Sequence, residues 1–160
     1  MRRVSPWRSP LLVAIFIWLN LLVGGPGLQA QPEVPLFNTY WRVSALDSQP
    51  VTAAPSGREP HLVLTPEGQR VHGSTGCNRF TGSFVQTPES FQFKPLATTR
   101  MACPPPADKQ ERAFLQALEA TRRLRQTGPV LELLDDQGTC RVRLEAQGPA
   151  GRRGPRKGNT

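Results

Sequence analysis

The sequence is poor in the residues that usually carry chemistry. Its 160 residues include two histidines, three cysteines and one tyrosine. With only His61 and His72 available, a nucleophilic cysteine would have to take one of them as its base. His72 lies five residues before Cys77, and no orienting acid is apparent beside it. There is no C-x-x-C pair, which argues against a thioredoxin-type redox motif and a paired-cysteine zinc site. No cysteine follows the N-terminal apolar run, so a lipid-anchor acceptor is missing. That run, Leu11–Val23, has 13 residues, short of the roughly 20 that a helix needs to cross a bilayer. The body of the chain also lacks an excess of one charge. The formal net charge is +8, yet residues 31–150 hold 13 basic and 12 acidic side chains. The excess sits at the ends, in Arg2, Arg3 and Arg8 and in Arg152, Arg153, Arg156 and Lys157. A near-neutral body gives no case for nucleic-acid binding. These shortages lead to the expectation of a non-enzymatic protein with no cofactor and no metal.

What is present begins with a leader. Basic residues, the apolar run, the Gly24-Gly25-Pro26-Gly27 break and the small residue Ala30 follow the layout of a secretory signal peptide. Cleavage near Ala30 would deliver the protein to the periplasm or the medium. Residues 31–36 read as a Pro-rich lead-in, 37–146 as one domain, and 147–160 as a disordered basic tail without a large apolar anchor. The charge of the tail suits contact with anionic surfaces, although solvation alone is the plainer reading.

The 17 prolines and 14 glycines favour short strands and turns over helices. Tyr40–Leu46 reads as a strand. His61–Thr65 and Gln69–Gly73 form a hairpin around Pro66-Glu67-Gly68, and Ser74–Thr81 reads as a loop. Gly82–Thr87 and Phe91–Phe93 form a second hairpin. Leu96–Cys103 is irregular, and Pro104-Pro105-Pro106 halts any strand before a helix from Ala107 to about Ala120. Phe114, Leu115 and Leu118 supply the apolar stripe of that helix, and Asp108 and Glu111 suit the positive end of its dipole. Strands follow at 122–126 and 130–134. In Thr139–Glu145 the residues Cys140, Val142 and Leu144 alternate with polar neighbours, as in a half-buried strand. The fold class expected is α+β: one domain, an antiparallel curved β-sheet or small barrel with one packed α-helix.

Two segments stand out, Gly73-Ser74-Thr75-Gly76-Cys77-Asn78-Arg79-Phe80-Thr81-Gly82-Ser83-Phe84 and Ala97-Thr98-Thr99-Arg100-Met101-Ala102-Cys103-Pro104. Together with Glu111-x-x-Phe114-x-x-x-Leu118 and Leu131-x-Leu133-x-Asp135-x-x-Gly138, they resemble the META/HslJ family of bacterial envelope domains. The resemblance covers about Phe37 to Leu144. Phe84 stands where the family often has Tyr, which removes a hydroxyl, and the lipid-acceptor cysteine of lipoprotein members is absent. The resemblance implies an envelope domain, linked in some members to stress tolerance or motility, with no catalytic site to carry over.

Read as physical chemistry, Gly73, Gly76 and Gly82 allow positive φ or close packing. Asn78 can occupy a turn and bond nearby backbone. Export permits a disulfide, and Cys77 with Cys103, 26 residues apart, is the expected pair, leaving Cys140 free. Three cysteines allow three pairings, so Cys77–Cys140 and Cys103–Cys140 stay open. Arg79 and Arg100 are candidates for contacting an anion or a partner; the alternative is that they bond loop carbonyls. Phe80 and the other aromatics are assigned to the core. Thr99 and Met101 complete the motif.

The leading expectation is therefore a non-enzymatic exported domain that binds a protein or other envelope component, with a role in stress tolerance. The alternative is a small barrel that holds an apolar ligand inside, for which a large apolar cavity would speak. A hydrolytic or protease-inhibitor-like role would need a base within reach of Cys77.

Overall fold

The computed structural model describes residues 34–51 and 57–149. The expected leader, residues 31–33 and the tail from residue 150 lie outside the described residues. Among the described residues, ten strands and one α-helix follow in order, with a single 3-10 turn at Glu67–Gln69. They are β1 (Thr39–Leu46), β2 (Gln49–Pro50), β3 (His61–Thr65), β4 (Arg70–Ser74), β5 (Arg79–Gln86), β6 (Phe91–Phe93) and β7 (Ala97–Thr98), then helix α1 (Ala107–Ala120), β8 (Arg123–Thr127), β9 (Val130–Leu134) and β10 (Cys140–Pro149).

The strands form one antiparallel path, β6-β5-β4-β3-β1-β10-β9-β8, with β2 on β1 and β7 on β5. The ends of this path approach each other. The Phe91 N–H donates to the Arg122 carbonyl at 2.8 Å, so β6 meets the start of β8 and the sheet is a nearly closed barrel. Curvature is built into its middle. The β1–β10 pairing shifts register between Thr39 and Trp41 and again between Val43 and Ala45. Such bulges increase twist and let a sheet roll up.

Alternation decides what faces inward. Trp41 and Val43 of β1, Leu62 and Leu64 of β3, and Val142 and Leu144 of β10 are all buried. The helix adds Phe114, Ala117 and Leu118, and the Phe114 ring meets the Phe80 ring edge-on with centroids 5.8 Å apart. Phe84 stacks on Phe91 at 5.0 Å. The interior is thus filled by side chains, each large one contributing about 1.5–3 kcal/mol through burial. The apolar ligand of the alternative reading would compete for space that these residues occupy.

Several local expectations shift. The loop read as Ser74–Thr81 shrinks to Thr75–Asn78, because β4 and β5 pair as far as Ser74 with Arg79. Leu115 is only half-buried; the inward stripe of α1 is Ala107, Phe114, Ala117 and Leu118. Cys140 is half-buried as well, because a register shift separates it from Val142. β10 continues to Pro149, which pairs with Thr39. The lead-in is tied down at its end, where Trp41 Nε1 donates to the Leu36 carbonyl at 2.9 Å and Phe37 stacks on Phe84.

Candidate functional site

The residues singled out in the sequence converge at one corner, where the β4–β5 loop meets the segment between β7 and α1. Glycine is needed there twice. A Cβ on Gly73 would lie 2.1 Å from the His61 carbonyl oxygen and 2.6 Å from the Phe80 ring, so only glycine lets β3, β4 and β5 approach. Gly76 turns the loop at φ +94°. Cys77, next in the chain, is joined to Cys103. Of the three pairings that were open, the structure has this one and leaves Cys140 as a free thiol. Burial first, and then Glu132, push the Cys140 thiol above its usual pKa, which makes it a poor nucleophile.

Asn78, buried, is the centre of the corner. Its side-chain oxygen accepts from the Thr99 hydroxyl and the Met101 N–H, both at 2.8 Å. Its side-chain nitrogen donates to the Met101 carbonyl at 3.2 Å and lies 3.0 Å from each carboxylate oxygen of Glu111. Glu111 Oε2 also accepts from the Thr75 hydroxyl at 2.5 Å and from the Asn78 N–H at 3.2 Å. The knot thus joins three stretches of chain distant in sequence. Among the described residues, no buried side-chain polar atom is left without a partner.

The knot fixes what lies outside it. The Thr99 hydroxyl accepts from the Arg79 N–H at 3.0 Å, and Phe80 and Thr81 pair with Thr98 and Ala97. With its backbone held at both N–H and C=O, Met101 is a residue 49% exposed. Arg79 and Arg100 are exposed too. Neither guanidinium has a hydrogen-bond or ion-pair partner among the described residues, so the expectation that they bond loop carbonyls does not hold. Phe80 faces the core, and Gly82 lies under Leu96.

The geometry is unsuited to nucleophilic chemistry at Cys77, whose sulfur is committed to Cys103. His61 stacks on Tyr40 with ring centroids 4.2 Å apart, and its Nδ1 lies 3.0 Å from the Glu59 carbonyl. His72 is exposed on β4. Cys77, Cys103 and Glu111 bring potential ligand atoms within 4.8 Å of one another, but in the disulfide the two sulfurs are not thiolates.

Sequence reasoning missed the roles of Glu111 and Thr75. Glu111 was assigned to the dipole of α1, whereas it reaches back to the β4–β5 loop. The available signal was its spacing: it follows Cys103 by eight residues, and Cys103 is tied to the neighbour of Asn78.

Comparison with known proteins agrees with this fold. The family model described as the META domain matches residues 34–148. The NMR structure of a protein from Burkholderia xenovorans is similar at 30% identity and TM-score 0.55, over 70% of this chain and 83% of that one. A second protein solved by NMR has the same fold at 21% identity and TM-score 0.55, over 70% of this chain and 94% of that one. No curated protein matches the chain.

Proposed function

The chain belongs to the META-domain family, and from that premise we propose that it is an exported, non-enzymatic binding module for a protein or other component of the cell envelope, acting in stress tolerance. Its working surface is the Thr99–Ala102 segment with Arg79 beside it. One observation carries this reading: the Asn78 side chain holds the Met101 backbone at both its N–H and its C=O, while the Met101 and Arg100 side chains face solvent. A loop fixed before binding loses little conformational entropy on binding. An apolar anchor beside two unpaired guanidiniums suits a partner with an apolar group flanked by carboxylates or phosphates. The basic tail adds a weaker attraction to anionic surfaces that salt screens.

The test is affinity capture from envelope extract with the processed chain, with the same chain lacking residues 150–160, which leaves β10 whole, and with an Arg79→Glu/Arg100→Glu/Met101→Ser variant. Components enriched above a bead control should persist without the tail and disappear with the triple variant. Enrichment of nothing, or of the same set by the triple variant, overturns the reading. Folding of the variant is checked by its near-ultraviolet circular dichroism.

A further inference from the structure

The corner contains a second chemistry that the disulfide masks. We propose that reduction of Cys77–Cys103 converts it into a three-ligand site for a soft divalent cation, zinc above all, held by the two thiolates and the Glu111 carboxylate. The inference is independent of the binding surface proposed above.

Geometry comes first. The two sulfurs and a Glu111 carboxylate oxygen already lie within 4.8 Å of one another. Zinc bonds of about 2.0–2.3 Å in a tetrahedron hold ligand atoms roughly 3.3–3.8 Å apart, so the shift required is small. The three residues sit on separate elements, the β4–β5 loop, the stretch before α1 and the first turns of α1, and the surrounding sheet holds these in place.

The surroundings also suit a metal. Asn78 Nδ2 lies 3.3 Å from Cys103 Sγ and 3.0 Å from both Glu111 oxygens, and the Thr75 hydroxyl bonds Oε2 at 2.5 Å. These donors are the kind of outer partners that orient ligating side chains. Glu111 forms no ion pair among the described residues. Reduction followed by loss of the thiol protons would place up to three negative charges in this half-buried corner, and a divalent cation offsets them. Two thiolates and one carboxylate select zinc over magnesium or calcium, and three protein ligands leave one position for water.

The chemistry balances with a dithiol as reductant. Two electrons and two protons pass from the dithiol to the S–S bond; the dithiol becomes a disulfide, and Cys77 and Cys103 become thiols. Each thiol then releases its proton as it binds the cation. The same two loops are thereby joined by sulfur–sulfur bonding in the oxidised chain and by sulfur–metal–sulfur bonding in the reduced one.

The test uses the purified chain reduced with a phosphine, because dithiols compete for metal. Titration with Co²⁺ should give thiolate-to-cobalt charge-transfer absorption and tetrahedral d–d bands that saturate at one equivalent and are displaced by Zn²⁺. The oxidised chain should give neither. Cys140→Ser should leave the bands intact, Cys77→Ser should abolish them, and Glu111→Gln should weaken affinity at least about tenfold. As a second readout, Zn²⁺ should slow alkylation of Cys77 and Cys103 but not of Cys140, as read by peptide mass. The proposal fails if the reduced chain shows no charge-transfer band, if Cys77→Ser binds Co²⁺ as well as the native chain, or if Glu111→Gln leaves affinity unchanged.

Discussion

Two polar networks in this barrel are built from similar side chains but differ in what surrounds them. On the outer wall of β8–β9–β10, Glu132 sits between Arg125 and Arg143 with contacts of 2.7 and 3.0 Å, and across the β1–β10 seam Arg42 pairs with Glu145 at 2.6 Å. The arginines of the first group are 58% and 50% exposed, so water and salt compete for their guanidiniums, while the Glu132 side chain between them is 15% exposed. In the Asn78 knot the donors and acceptors are buried or half-buried and belong to three separate stretches of chain. An exposed pair exchanges one set of solvent contacts for another, whereas a buried amide that loses its partners has no water to replace them. The contrast teaches that the short network contributes more to stability per contact at this corner than the charge ladder, whose arginines stand in water.

Asn78→Ala carries the largest expected effect, a loss of about 4 kcal/mol in urea unfolding, because it takes the side-chain partner from the Thr99 hydroxyl and from both polar groups of Met101 and leaves Glu111 only the Thr75 hydroxyl and the residue-78 N–H. A loss under about 1 kcal/mol, the scale of a surface pair, would erase the contrast. Next comes the covalent part of the same corner. Cys77→Ser with Cys103→Ser should cost about 3.5 kcal/mol by the entropy of closing a loop 26 residues long. Amide exchange at Met101 should stay protected in that variant, since Asn78 still holds it. Loss of protection there would show that the sulfurs, rather than the amide, position the exposed loop. The ladder should respond least: Glu132→Gln is expected to cost no more than about 1 kcal/mol, and the cost should shrink in high salt.

Sequence patterning reached the ladder's strands more easily than the knot. The alternation of Val142 and Leu144 with Arg141 and Arg143 sets out β10, since a period of two places one set inward and the other outward. The proline run and the stripe at Phe114 and Leu118 likewise set the start and buried face of α1. The knot left a weaker trace. Gly73, Cys77 and Asn78 could be singled out as residues of special geometry, and Cys103 as the expected partner. Nothing local in Glu111 distinguishes a carboxylate facing solvent near a helix dipole from one turned back onto a loop 33 residues earlier. That distinction depends on how α1 docks, which is a tertiary fact. The pairing of Glu132 with two arginines was illegible for the same reason, because cross-strand register decides it.

One ionisable side chain belongs to neither network and tests the role of burial without an ion pair. His61 lies on β3 with its ring stacked on Tyr40 and its Nδ1 near the Glu59 carbonyl. Burial, the largest influence, holds its pKa below the usual 6.5; the Glu59 carbonyl opposes this, and His72 adds a small push downward. A pKa lower in the folded than in the unfolded chain means that the unfolded chain binds the proton more readily. The stabilisation is therefore complete above about pH 6.5 and is lost as pH falls through that value toward the folded pKa. The urea midpoint should fall between pH 7.5 and pH 5, and His61→Phe, which keeps a ring against Tyr40, should flatten that slope. His72→Gln should move the His61 NMR titration slightly upward. An unchanged slope in His61→Phe would assign the acid sensitivity to the carboxylates of the knot and the ladder, and the stacked ring would then be as well solvated in its charged form as an exposed histidine.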